Sequence, residues 1–145
     1  MSSKNRHNQK IGSDITRSDD RISNTGEVFT PPSLCDKMIL GLPESVLKDP
    51  TSTFLDNAAG NGNFVVQLKK VLMRWHSKEH ILNNMLYAVE FMEDNHREMC
   101  KRLGVPVDHP HYVNADALEY HYRFDGTEGD LTLDQFFECP SNSMI

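Results

Sequence analysis

Three carboxylates, Asp56, Glu90 and Asp116, each close a short apolar run. Thr53-Phe54-Leu55 precedes Asp56, Met85-Leu86-Tyr87-Ala88-Val89 precedes Glu90, and His111 to Asn114 leads to Asp116. Such runs read as strands, and the carboxyl ends of strands in an open parallel α/β sheet lie along one edge where small molecules bind. Carboxylates in that position accept hydrogen bonds. Asp56 suits an ammonium group, Glu90 the hydroxyls of a ribose, and Asp116 an exocyclic amine such as adenine N6. The segment Asp56-Asn57-Ala58-Ala59-Gly60-Asn61-Gly62-Asn63-Phe64 places two glycines just before an amphipathic run. Glycine lacks a Cβ, so its backbone approaches a ligand closely, and a helix start beyond it adds unpaired N–H groups. The trio suits an adenosine joined to an amino acid better than a dinucleotide, because the Gly-x-Gly-x-x-Gly spacing is absent. Each acid taken singly also fits a helix cap or a surface position.

The elements that must position these groups follow from periodicity and breakers. Residues 1–24 are polar, with Ile11, Ile15 and Ile22 as the only large aliphatics after Met1, and read as a loosely attached arm. Residues 25–145 form the domain. Pro31-Pro32 fixes an extended entry. Ser33 caps a helix over about 34–41 with Leu34, Met38 and Leu42 on one face. Pro43 and Asp49-Pro50 mark a loop. A strand ends at Asp56. A helix over 63–76 carries the stripe Phe64, Leu68, Val71, Leu72 and Trp75. Asn83-Asn84 opens a second strand, residues 92–103 form a second helix closed by Gly104, and a third strand runs near His111 to Asn114. Strand, helix, strand, helix, strand is the order of a parallel sheet with crossover helices. Beyond Asp116 the pattern weakens. Leu118, Tyr120, Tyr122 and Phe124 alternate as an extended strand or a loop lining, and Leu131 to Glu138 reads as a short helix.

The chain has 145 residues, 25% charged and 38% hydrophobic, enough for one ordinary globular domain. No apolar run approaches the ~18 residues of a membrane span, and no secretory leader is readable, so a cytoplasmic location is expected. Cys35, Cys100 and Cys139 form neither a metal pattern nor a disulfide framework. A net charge of −6 does not favour direct DNA binding, which uses a basic face. The lysines Lys69, Lys70 and Lys78 read as a solvated helix face. His76 and His80, four residues apart, read as a solvated pair for want of a third metal ligand.

Gly26-Glu27-Val28-Phe29-Thr30-Pro31-Pro32 resembles the N-terminal cofactor motif of the N6-adenine DNA methyltransferases of restriction–modification systems. Asp56 to Phe64 resembles their Asp-Pro-Ala-Cys-Gly-x-Gly-x-Phe motif, with Asn57 in place of proline and Ala59 in place of cysteine. Tyr87-Ala88-Val89-Glu90 and Asn114-Ala115-Asp116-Ala117-Leu118 follow in the family's order, so the resemblance covers residues 25 to about 120. It implies a partial Rossmann-like class I methyltransferase fold and S-adenosylmethionine as cofactor. It further implies that Phe29 and Thr30 lie against the methionine end, and that Asp56 with the Ala58, Gly60 and Gly62 backbone holds the amino and carboxylate groups. Glu90 would take the ribose, and Asp116, with Ala117 beside it, the adenine. The activity implied is direct methyl transfer to adenine N6 in DNA, without metal.

The family's Asn/Asp-Pro-Pro-Tyr/Phe motif, which holds a flipped adenine for reaction, is absent from residues 117–145. Cys139-Pro140-Ser141-Asn142 has the wrong order and no aromatic. No residue is therefore assigned to catalysis. A split or truncated enzyme, a remnant, and a stand-alone cofactor-binding or decoy protein all fit. A three-strand sheet leaves an edge open, which predicts self-association or a second polypeptide there. DNA enters as a partner only if that polypeptide brings the catalytic and recognition parts.

Overall fold

The computed structural model describes residues 18–21 and 29–127. The expected helix over Leu131 to Glu138 and most of the polar arm lie outside them. Within the arm, Arg21 makes a two-pronged ion pair with Asp94, Nη1 to Oδ2 at 2.6 Å and Nη2 to Oδ1 at 2.9 Å.

Helix α1 spans Pro32–Leu40, with proline in its first turn, where a missing N–H costs nothing. No side chain caps it, Ser33 included. Its buried face is Cys35 and Ile39. Leu34 and Met38, one residue earlier at the same spacing, are about half exposed. The predicted stripe exists but faces outward, and only Leu42 beyond the helix packs on the core. The stretch expected as loop holds a second helix, α2 (Glu44–Lys48), which buries Leu47.

Strand β1 is Phe54–Asp56, and helix α3 is Asn63–Leu72. The periodicity continued to Trp75, but α3 ends in turns at 73–75 that still bring Trp75 against the core. A short helix α4 (Lys78–His80), capped by Ser77 Oγ accepting the His80 N–H at 3.2 Å, runs into a π-helical turn over Ile81–Met85. The wide turn buries Ile81, Leu82 and Met85 and leaves Asn83 and Asn84 outside. The asparagines thus belong to a helical turn, not to the next strand. Strand β2 is Leu86–Glu90, helix α5 is Glu93–Leu103, and strand β3 is Tyr112–Asn114.

The three strands form one parallel sheet in the order β1-β2-β3, with Asp56 opposite Ala88 and Glu90 opposite Asn114. This α/β arrangement is the one expected from the order of elements. Leu86, Ala88 and Tyr112 share the face covered by α3 and α5, where Leu68, Leu72, Met99, Cys100 and Leu103 complete the core. On the opposite face, Tyr87 stacks on His111 with centroids 4.1 Å apart and meets the edge of Phe124 at 5.0 Å. Residues 115–124 make a loop, not a strand, with positive φ at Tyr122 and Phe124. Among the described residues, β1 pairs on one side only and no helix is long and apolar enough to cross a membrane.

Candidate functional site

A small cavity lies at the carboxyl end of β1. Phe29, Thr30, Asp56, Ala58, Ala59, Gly60, Asn61, Asn63 and Phe64 line it, and its volume is about 40 Å³. Five of the nine residues singled out in the sequence (Phe29, Thr30, Asp56, Ala58 and Gly60) therefore meet in one place. Two of them come from the segment before α1, and Asn63 holds that segment down by donating from Nδ2 to the Thr30 carbonyl at 3.0 Å.

The turn after β1 is fixed from several sides. Asp56 Oδ1 accepts the Ala58 N–H at 3.1 Å, and Ala59 N–H donates to the Val89 carbonyl at 3.1 Å. Gly60 and Gly62 have φ of 56° and 89°, conformations that other residues adopt at a cost. A Cβ on Gly60 would sit 3.0 Å from the Phe29 ring, so this glycine admits the aromatic side chain to the cavity. A Cβ on Gly62 would sit 2.8 Å from Met99 Cγ. Gly62 thus serves the approach of α3 to α5 and does not line the cavity. Arg102 on α5 donates from Nη1 to the Asn61 carbonyl and to Asn63 Oδ1, both at 2.8 Å.

Glu90 lies beneath the turn and is only 7% exposed. Oε2 accepts the Gly60 N–H at 2.6 Å, and Oε1 accepts from Met92 N at 3.0 Å and Asn95 Nδ2 at 3.4 Å. Burial pushes the Asp56 carboxyl above its ordinary range; the Ala58 hydrogen bond opposes this, and the nearby Glu90 charge adds to it. Two carboxylates thus share the floor of the turn, an arrangement that favours a positively charged visitor.

Asp116 lines a second concavity of about 220 Å³ with Ala115, Glu119, Tyr120 and His121. Its Oδ1 accepts the Leu118 N–H at 2.9 Å. Ala117 offers its carbonyl to the Tyr122 hydroxyl at 2.7 Å. The Tyr122 pKa is raised, first by burial and last by Asp116, while a hydrogen bond with the Asn57 side chain lowers it. Tyr122 is thus near both Asn57 in the turn after β1 and Asp116.

Sequence reasoning missed Asn61, Asn63 and Arg102. An asparagine beside a glycine reads as a turn residue, and nothing in the chain pairs Arg102 with a turn so distant. The histidines and lysines also acquire definite roles. His76 Nε2 and His80 Nε2 lie 2.8 Å from the Leu47 and Pro50 carbonyls, tying α2 and its following loop to the far end of α3 and to α4. Lys69 is not a solvated face residue: its Nζ donates to the Leu103 carbonyl at 3.1 Å, at the end of α5. Among the described residues no cluster of three or more His, Cys, Asp or Glu can hold a metal. No protein-family model and no curated protein matches the chain.

Proposed function

We propose that the chain is the cofactor-binding part of an S-adenosylmethionine-dependent DNA adenine N6 methyltransferase. One observation carries the reading. The segment Phe29-Thr30 and the turn from Asp56 to Gly60 line a single cavity beside a carboxylate pair. The cavity's size fits a charged head group and not a whole nucleoside. The amino-acid end of the cofactor would enter there, its ammonium accepted by Asp56. Glu90 would take a ribose hydroxyl with the lone pair that Oε2 keeps beside the Gly60 N–H, and Asp116 would meet the adenine. When bound, the cofactor supplies a methyl carbon on a sulfonium. The residues of this chain orient it and hold its charges.

Methyl transfer in this reading needs an Asn-Pro-Pro-Tyr-type motif from outside these residues, and the edge of β1, unpaired among the described residues, is where the strand that carries it would add. Isothermal titration of the chain with S-adenosylmethionine tests the cofactor assignment. Absence of heat at millimolar ligand counts against it. Transfer of labelled methyl to DNA tests the enzymatic part. A net charge of −6 favours a second reading, a non-catalytic cofactor-binding or partner-binding protein. Measurable cofactor binding without methyl transfer, alone or with a candidate second polypeptide, selects it.

A further inference from the structure

The fold leaves the side chain of Asn61 unused. Asn61 is 1% exposed, and among the described residues neither Oδ1 nor Nδ2 has a hydrogen-bond partner. Its neighbours differ. Asp56 is engaged by Ala58, Glu90 by Gly60, and Asn63 by both Thr30 and Arg102. Even the Asn61 backbone carbonyl is taken, by Arg102. Buried polar groups are nearly always paired, and an unpaired carboxamide opposes folding. An apolar side chain would suit this position better if packing were its only task.

Asn61 lines the same cavity as Asp56, at the amino end of α3, which no side chain caps. A carboxamide offers one donor edge and one acceptor edge side by side. Its complement is a group presenting an acceptor and a donor at the same spacing. With a carboxylate next to it, that complement is a zwitterion.

We propose that the Asn61 carboxamide recognises an α-amino-acid head, Nδ2 donating to its carboxylate and Oδ1 accepting from its ammonium, which Asp56 also takes. This deepens the cofactor reading and rests on it for the source of the head, S-adenosylmethionine. A free amino acid presents the same chemistry.

The test uses the full chain and the variants Asn61→Leu and Asn61→Ala. Each is melted alone and with S-adenosylmethionine, with 5′-methylthioadenosine (which lacks the amino-acid end), and with free L-methionine. Titration supplies the affinities. Without ligand, at least one variant melts no lower than the wild type, because an unpaired polar group has been removed. Affinity for S-adenosylmethionine falls about tenfold or more in both, as expected for a lost charge-assisted pair, while that for 5′-methylthioadenosine is unchanged. Lowered melting in both variants overturns the proposal, because the carboxamide then serves the fold. Equal affinity for S-adenosylmethionine in wild type and variants also overturns it. If the wild type does not bind S-adenosylmethionine, the cofactor reading fails on its own and L-methionine decides. A melting shift in the wild type that the variants lack keeps the role of Asn61, and no shift in the wild type ends it.

Discussion

Glu90 Oε2 accepts the Gly60 N–H at 2.6 Å, joining the last residue of β2 to the turn that follows β1. The same carboxylate accepts from Met92 N at the entrance to α5. One buried acid therefore sets the relative position of two strand ends and a helix start. Glu90→Ala would strand these donors in a buried place. We expect a loss of about 2–3 kcal/mol in urea denaturation. A loss below the scatter of surface substitutions would show that the turn holds its shape without the acid.

Asp56 carries the pH dependence of the site. Its carboxyl is raised, chiefly by burial and further by Glu90. A raised carboxyl binds its proton more tightly in the folded state, so its contribution to stability is present below the ordinary value of 3.8 and is lost as pH rises through the folded value. Binding of a cation at Asp56 has the opposite sense and strengthens as pH rises through that same value. Asp56→Asn should raise the melting temperature at neutral pH and weaken a cationic ligand about tenfold or more. Melting curves and titrations from pH 4 to 7.5 check both signs. Parallel pH profiles in variant and wild type would remove Asp56 from the account.

Gly62 is required by Met99. With φ of 89° and a Cβ that would fall 2.8 Å from Met99 Cγ, Gly62→Ala meets backbone strain and a clash together. We expect it to cost about 2–4 kcal/mol. Met99→Ala frees space at Cγ, so the double variant should be less destabilised than the sum of the singles by about 1 kcal/mol. Strict additivity in a double-mutant cycle would place the clash elsewhere.

Arg102 reaches from α5 to the glycine turn, and Asn63 passes its hold on to Thr30. Arg102→Met keeps the aliphatic stem and removes the donors. Unfolding should become easier by about 1.5–3 kcal/mol, and any ligand at Asp56 should bind more weakly because Asn63, which holds Thr30, loses its own anchor. Unchanged affinity alongside lowered stability would restrict Arg102 to the fold.

His109 and His111 couple the entry of β3 to mild acid. His109 Nδ1 accepts the His111 N–H at 3.1 Å and Nε2 faces Asn83 Oδ1 at 2.8 Å, so the neutral ring is the one that fits. Burial lowers the pKa of both, aided at His109 by the His111 charge. Their contribution is full above the unfolded value of 6.5 and is lost as pH falls through the lower folded values. The melting temperature should therefore decline between pH 7 and 5, and His109→Asn, which keeps an acceptor, should lessen the decline. An equally steep decline in that variant would assign it to other groups.

The sequence alone determined that this is an α/β chain with three short strands and two crossover helices. Strand runs ending in acids, a glycine turn and the 3.6-residue stripe of α3 are local signals, set by sterics and periodicity within a few residues. It also singled out Asp56 and Gly60, because a turn after a strand has a predictable use, while Phe29, Thr30 and Ala58 came from the resemblance to the methyltransferase motifs. Only the tertiary structure decided that Cys35 and Ile39, not Leu34 and Met38, face the core: both pairs have helical spacing, and the neighbour decides which is buried. It also turned Glu90 into a brace for Gly60 and brought Arg102 to Asn61. These are encounters between elements far apart in the chain, fixed by how α5 lies across the sheet, and no local pattern encodes them.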